Sequence, residues 1–272
     1  MDLMCQVLQV SRSGFYAWSQ RTPSAQAQRR KELTAQIQAV HDDSRQIYGS
    51  PRVHAELQAK GIMCSENTVA KLMRRNGIRS KMRRRFVVRT TDSQHAHPVA
   101  PNTLDQQFEQ SETDTAWAAD ITYIPTQQGW LYLAAIIDLC SRRIVGWATA
   151  DHLRAELACQ AFRQACQQRR PTRGLLHHSD RGVQYACDEY GLLMASVGCQ
   201  VSMSRRGNCY DNAVMESFFG TLKTECVHHL EFTTHEQAHQ VLFEYIEVFY
   251  NRQRRHSALG YQSPAEYEAN LN

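Results

Sequence analysis

Leu175-Leu176-His177-His178-Ser179-Asp180-Arg181-Gly182 and Asp211-Asn212-Ala213-Val214-Met215-Glu216-Ser217-Phe218-Phe219-Gly220-Thr221-Leu222-Lys223 are the two most informative stretches of the chain. The first is an apolar strand that ends on an acid just before an Arg-Gly turn, the place where open α/β sheets hold their ligands. The second reads as a helix capped by Asp211 or Asn212, with Val214, Phe218 and Leu222 as its core stripe. Asn212, Phe219, Gly220 and Lys223 then flank Glu216 on its own face, and Lys223 is placed to touch a phosphate. Thirty-five residues separate Asp180 from Glu216. A third acid, Asp120, sits upstream in Trp117-Ala118-Ala119-Asp120-Ile121-Thr122-Tyr123-Ile124, on the same strand face as Thr122 and Ile124.

Any one of these acids is most simply a surface residue or a helix cap; together they suggest chemistry. Clustered carboxylates raise one another's pKa, so such a group makes more sense as a cation site than as structure. Magnesium takes oxygen ligands and keeps its waters, so a few carboxylates and a substrate phosphate suffice. Two ions about 3.5–4 Å apart stabilise both the attacking and the leaving oxygen of an in-line phosphodiester displacement. The expected cofactor is therefore Mg2+ (or Mn2+), two per site, on Asp120, Asp180 and Glu216.

Working outward, 116–124 and 130–140 are strand candidates, followed by a strand at Ile144–Ala150. Residues 154–168 read as helix, 174–179 as strand, 187–197 as helix, 199–203 as strand and 212–227 as helix. This order predicts a mixed five-stranded sheet with helices on both faces, an α/β arrangement matching the ribonuclease H-like fold, over 115–230. Residues 231–272 form a C-terminal helical extension. Residues 90–114 are polar, contain Pro98 and Pro101, and read as a linker.

Upstream, 23–89 reads as an all-α helix-turn-helix region. Leu33, Ile37 and Val40 mark a helix over 24–44. Ser50-Pro51 marks an N-cap and first turn, with Val53 and Leu57 on one face until Lys60-Gly61. Ser65 opens a second helix with Val69, Leu72 and Met73 inside and Gly77 after it. Asn67, Thr68, Lys71, Arg74 and Arg75 would then be exposed on a recognition helix. Residues 1–22 read as a partial helix-turn-helix segment, although Val10, Phe15 and Trp18 could equally be core.

The net charge of +4 hides a division: residues 1–100 carry 17 Lys/Arg against 7 Asp/Glu, and residues 101–272 carry 14 against 20. From Lys71 to Arg89 there are nine cations and no acid, including Arg83, Arg84 and Arg85, a cluster suited to DNA phosphates. The nine cysteines are odd in number and lack a CxxC pair, which argues for reduced thiols and against a zinc ribbon. No apolar run is long enough to span a bilayer, and no secretory signal is visible, so a membrane association is not expected.

Several polar residues read differently from the acids above. Asp138 precedes a tight turn and is expected to cap it. His177 and His178 alternate across a strand, and one is placed to orient Asp180 or a phosphate. His235 and His239 lack a zinc partner set and read as a solvated helix face. Arg252, Arg254, Arg255 and His256 follow an apolar helix (Val241, Ile246, Phe249), with Arg254 and Arg255 expected to contact terminal DNA.

At these residues the chain resembles the second-frame (OrfB-type) transposases of the insertion-sequence-three family, within the retroviral integrase-like superfamily of Asp-Asp-Glu recombinases. The resemblance runs through Tyr48-Gly49-Ser50-Pro51-Arg52, Asp120-Ile121-Thr122-Tyr123, Asp138-Leu139-Cys140-Ser141-Arg142-Arg143-Ile144-Val145-Gly146-Trp147 and His178-Ser179-Asp180-Arg181-Gly182. It continues through the Glu216 run to Tyr250-Asn251, Arg254, His256-Ser257, Leu259-Gly260-Tyr261 and Ser263-Pro264. It implies a catalytic triad of Asp120, Asp180 and Glu216, with Lys223 as the basic residue seven positions on. It further implies divalent-metal-dependent cleavage at terminal inverted repeats and strand transfer into target DNA. A homo-oligomer on paired ends of double-stranded DNA, in a bacterial cytoplasm and associated with the nucleoid, goes with that activity. An upstream-frame fusion or partner protein is also expected, since 1–22 opens inside a helix-turn-helix pattern. Two other functions compete: a DNA-binding repressor without catalysis, opposed by the intact triad, and a structure-selective nuclease resembling junction resolvases, opposed by the basic N-terminal helices and the Glu216–Lys223 spacing.

Overall fold

The computed structural model describes residues 2–81, 99–205 and 208–271, without the side chains of Asp2 and Cys209. The chain forms two compact units, Met1–Ser80 and Lys81–Asn272. Arg83, Arg84 and Arg85 of the basic run lie outside the described residues. No described helix is long and apolar enough to cross a membrane.

The first unit is all helical: α1 (Asp2–Val7), α2 (Arg12–Ser19), α3 (Ala25–Asp43), α4 (Ser50–Ala59) and α5 (Glu66–Arg75). Helices α3, α4 and α5 pack on one another around Ile37, Val40, Val53, Leu57, Val69, Leu72 and Met73, all buried. Ser65 caps α5, its hydroxyl accepting from the Thr68 amide. Gly61 and Gly77, at φ of 75° and 71°, let the chain leave α4 and α5 through a left-handed turn that a Cβ would strain. The α4 cap falls one residue earlier than expected: Gly49 is the N-cap and Ser50 is already helical, with Pro51 in the first turn. Trp18 is 68% exposed and Val10 is exposed as well, so neither belongs to a core.

The second unit is built on five strands, β1 (Ala116–Thr126), β2 (Gly129–Asp138), β3 (Ile144–Ala150), β4 (Leu176–Ser179) and β5 (Gln200–Met203). Their order is β3-β2-β1-β4-β5. The first three pair antiparallel, whereas β4 joins β1, and β5 joins β4, in parallel. Helices α6 (Ala155–Arg169), α7 (Val183–Ala186), α8 (Asp188–Val197), α9 (Ala213–Glu225), α10 (His235–Phe243) and α11 (Pro264–Leu271) complete it. Trp117, Ala119, Ala134 and Ile136 face a core shared with Leu157, Ala161, Phe162 and Tyr190. The alternate residues Ala118, Thr122, Ile124, Leu133 and Ala135 are buried too, so both faces of the mixed sheet are covered. Gly146 permits this closeness: a Cβ there would collide with the Ala161 carbonyl and the Ala165 side chain and amide.

Asp138 is the turn cap between β2 and β3. Its buried carboxylate accepts from the Ser141 amide at 2.7 Å, the Ser141 hydroxyl at 2.9 Å and the Asp114 amide at 2.7 Å. Residues beyond α9 pack back onto β3. Asn251 bonds both the amide (2.9 Å) and the carbonyl (3.0 Å) of Ile144, and Trp147 Nε1 donates to Glu247 at 2.9 Å. Glu247 lies on a π-helical turn, Glu244–Tyr250, that continues α10.

Candidate active site

The parallel β1–β4 ladder ends with Ala119 opposite Ser179. The next residues along the chain are Asp120, within β1, and Asp180, just after β4, which places the two acids where the β1–β4 pairing stops. Asp120 Oδ1 accepts from the Ile121 amide and Asp180 Oδ1 from the Gly182 amide, both at 2.8 Å. A Cβ on Gly182 would sit 3.0 Å from Asp180 Oδ1, so glycine keeps this turn close to the acid.

Helix α9 brings the third acid. Asn212, immediately before it, donates from Nδ2 to the Ala119 carbonyl at 3.2 Å, tying the start of the helix to the residue before Asp120. Glu216 follows in the first turn and is exposed. Burial and then the charge of Asp180 raise the Asp120 pKa well above the usual carboxylate range; the Ile121 amide opposes this, Glu216 adds to it, and Lys223 counters it. Lys223 is itself pushed down by burial and held up by Asp120, and its Nζ lies 4.9 Å from the Tyr123 ring centre. Asp120, Asp180, Glu216 and Lys223 therefore share one electrostatic neighbourhood. Among the described residues no three His, Cys, Asp or Glu side chains already converge tightly enough to ligate one ion.

The buried stripe of α9 is Met215, Phe218, Phe219 and Leu222. Val214 is only half-buried, and Phe219 turns inward instead of flanking Glu216 as its spacing suggested. Asp211 is fully buried and does not cap the helix. It accepts from Arg205 through the amide (2.7 Å), Nε (3.0 Å) and Nη2 (2.9 Å), and from Gln106 and Asn208. These bonds, Arg205 first, hold its carboxyl well below the usual range. The network fixes the segment that leads from β5 into α9, and the sequence reading missed it.

The two strand histidines serve the fold. His177 Nε2 meets the Tyr190 hydroxyl at 3.0 Å; the His178 nitrogens meet the hydroxyls of Ser202 (2.9 Å) and Ser204 (3.1 Å). Burial lowers their pKa values to about 3 and about 4, so both are neutral imidazoles near pH 7. Neither bonds to Asp180, contrary to expectation. His239 is exposed, as a solvated helix face implies, yet its ring is engaged: Nδ1 meets Thr149 Oγ1 at 2.8 Å and the imidazole packs on Trp147.

The expected DNA contact at Arg254 is overturned. Arg254 is 4% exposed and donates to Glu225 from Nε and Nη2, each at 2.8 Å. The Tyr245 hydroxyl also donates to Glu225, at 2.8 Å. A buried guanidinium committed to a buried carboxylate is not available to phosphate. Arg255, half-buried, donates to the Tyr261 carbonyl at 2.8 Å. In the first unit Asn67, Lys71, Arg74 and Arg75 are exposed on α5, and Thr68 is half-buried with its hydroxyl 2.9 Å from that of Ser65.

Comparison with known proteins agrees with this architecture. An HTH-like domain model matches residues 28–86, and integrase core domain models match 110–209 and 216–271. The chain is 43% identical to "Transposase InsF for insertion sequence IS3A" of Escherichia coli (strain K12), covering 97% of this chain and 92% of the relative. It is 46% identical to "Insertion element IS600 uncharacterized 31 kDa protein" of Shigella sonnei, over 97% of each chain. A chain of a simian T-cell lymphotropic virus intasome shares the fold at a TM-score of 0.50 and 13% identity, covering 85% of this chain and 74% of that one. The chain belongs to the insertion-sequence-three family of transposases, a DNA transposase with an integrase core of the polynucleotidyl transferase type.

Proposed function

We propose that the chain binds the terminal inverted repeats of its element and cleaves and joins their 3′ ends at Asp120, Asp180 and Glu216. The observation that carries this reading is the shared charge neighbourhood where the β1–β4 pairing stops, in which burial and two further acids oppose ionisation of Asp120. That excess of negative charge suits a hard cation. Asp120 Oδ2 accepts no hydrogen bond among the described residues, which leaves an oxygen for the ion. When bound, two Mg2+ or Mn2+ ions would polarise the scissile phosphate and lower the pKa of the attacking hydroxyl or water. Rotation of the exposed Glu216 side chain would complete the ligand set. Lys223, beside Asp120, would hold a neighbouring phosphate and orient the strand.

Exposed Asn67, Lys71, Arg74 and Arg75, with Thr68 at the helix start, form the proposed recognition surface, and Arg83, Arg84 and Arg85 extend its charge in sequence. The working form is proposed to be a homo-oligomer on paired ends, in the nucleoid of a bacterial cytoplasm, with an upstream-frame segment as its partner. A strand-transfer assay on labelled element-end DNA, with Mg2+ or with EDTA, tests the reading. Joining that needs both metal and Glu216 is expected; equal joining by Glu216→Gln would refute the assignment.

A further inference from the structure

The second unit contains three tryptophans, and two have clear structural work. Trp117 is buried and donates to Asp114, and Trp147 is buried and donates to Glu247. Trp130 differs. It opens β2 beside the hairpin turn, is 51% exposed, and its indole nitrogen has no hydrogen-bond partner among the described residues. It is paired across the sheet with Pro125, one diagonal step from Tyr123, and its ring meets the Tyr123 ring edge-on at 4.6 Å. Lys223 lies over that same tyrosine. A line of groups therefore runs from Asp120 through the Lys223 ammonium to Tyr123 and out to an exposed indole.

An exposed aromatic pair next to a cation is the chemistry that receives single-stranded nucleic acid. The cation takes a backbone phosphate and a ring takes the face of a base, whatever its sequence. Tyr123, half-buried with the Lys223 ammonium over its ring, stiffens the platform; Trp130 offers the open face. We propose that Tyr123 and Trp130 form a stacking platform for an unpaired nucleobase of the DNA strand whose phosphate lies beside Lys223. The inference rests on the transposase reading above, because it places the scissile strand at Asp120.

The test uses the full chain as Glu216→Gln, so that binding is read without chemistry, on an element-end duplex carrying 2-aminopurine at the unpaired terminal positions. Quenching of 2-aminopurine on binding is expected, lost on adding Trp130→Ala and retained with Trp130→Phe. In the catalytically intact background, Trp130→Ala should lower joining by about five- to 150-fold, the range for one lost base stack. Circular dichroism confirms that the variant is folded. Unchanged quenching in the folded Trp130→Ala protein overturns the platform, whether or not joining occurs. Joining by Glu216→Gln itself would instead fault the triad, so the two failures are distinguishable.

Discussion

Helix α9 carries two glutamates nine positions apart, and their surroundings are opposite. Glu225 is 3% exposed, gripped by Arg254 and bonded by Tyr245. Its charge is cancelled inside the protein, and the Arg254 guanidinium is held well above its ordinary pKa by it. Glu216 is exposed and joins Asp180 in opposing ionisation of Asp120. One end of the helix is electrostatically finished and the other is left with surplus negative charge. At the other end the like charges of Asp180 and Glu216 oppose ionisation of Asp120, against which Lys223 is the counter-charge. The difference also explains how the site is held. Glu225 and Arg254 anchor the far end of α9 to the C-terminal segment, and Asn212 ties the near end to β1, so Glu216 is delivered by a helix fixed at both termini.

The largest expected effect lies at the unfinished end. Asp120→Asn and Asp180→Asn should each lower strand joining by about a hundred- to a thousandfold, the scale of losing a preorganised charge-stabilising group. Neither should lower the melting temperature, because each removes like-charge repulsion; a large fall in stability would mean that these acids hold the fold. Next comes the finished end. Arg254→Ala leaves Glu225 charged, buried and unpaired, which should cost about 3–5 kcal/mol of stability, read from urea unfolding. If stability held while DNA-end binding fell, Arg254 would be a DNA ligand after all. Gly146→Ala, at the packing of β3 on α6, should cost about 1–3 kcal/mol through overpacking without moving the metal dependence of joining.

A further effect is a pH dependence. His177 and His178 have folded pKa values depressed to about 3 and about 4 by burial, below the unfolded value of about 6.5. Between these limits the unfolded chain binds more protons, so stability rises with pH. It should therefore be fully present above about pH 6.5 and fall toward pH 4, by at most about 1.4 kcal/mol per pH unit for each histidine. The slope from pH 4.5 to 6 should be shallower in His178→Gln; an identical slope would assign the effect to other groups.

The five strands and their mixed sheet could be read in the sequence because they leave local marks. An apolar strand ending on Asp180 before a glycine, and alternation around Asp120, need no knowledge of distant partners. The inward turn of Arg254 is hidden from the sequence for the opposite reason. Arg254 and Glu225 are 29 residues apart, and nothing near either reveals that the guanidinium turns inward. The same holds for Asp211, whose position before a helix suggests a cap, while its actual partners Arg205 and Gln106 arrive from a loop and from upstream of the sheet. The helix stripe slipped for a smaller reason: α9 lies against β1 on one side and the C-terminal residues on another, so Phe219 is buried as well as Phe218.

The most direct test sets the two glutamates side by side. Glu216→Gln and Glu225→Gln are compared with the unaltered chain for melting temperature and for Mg2+-dependent joining of element-end DNA well below the melting point. The expected result is that Glu216→Gln melts like the unaltered chain and joins nothing, whereas Glu225→Gln melts lower yet still joins. Joining by Glu216→Gln at the unaltered rate, or a folded Glu225→Gln protein as inactive as Glu216→Gln, would contradict it.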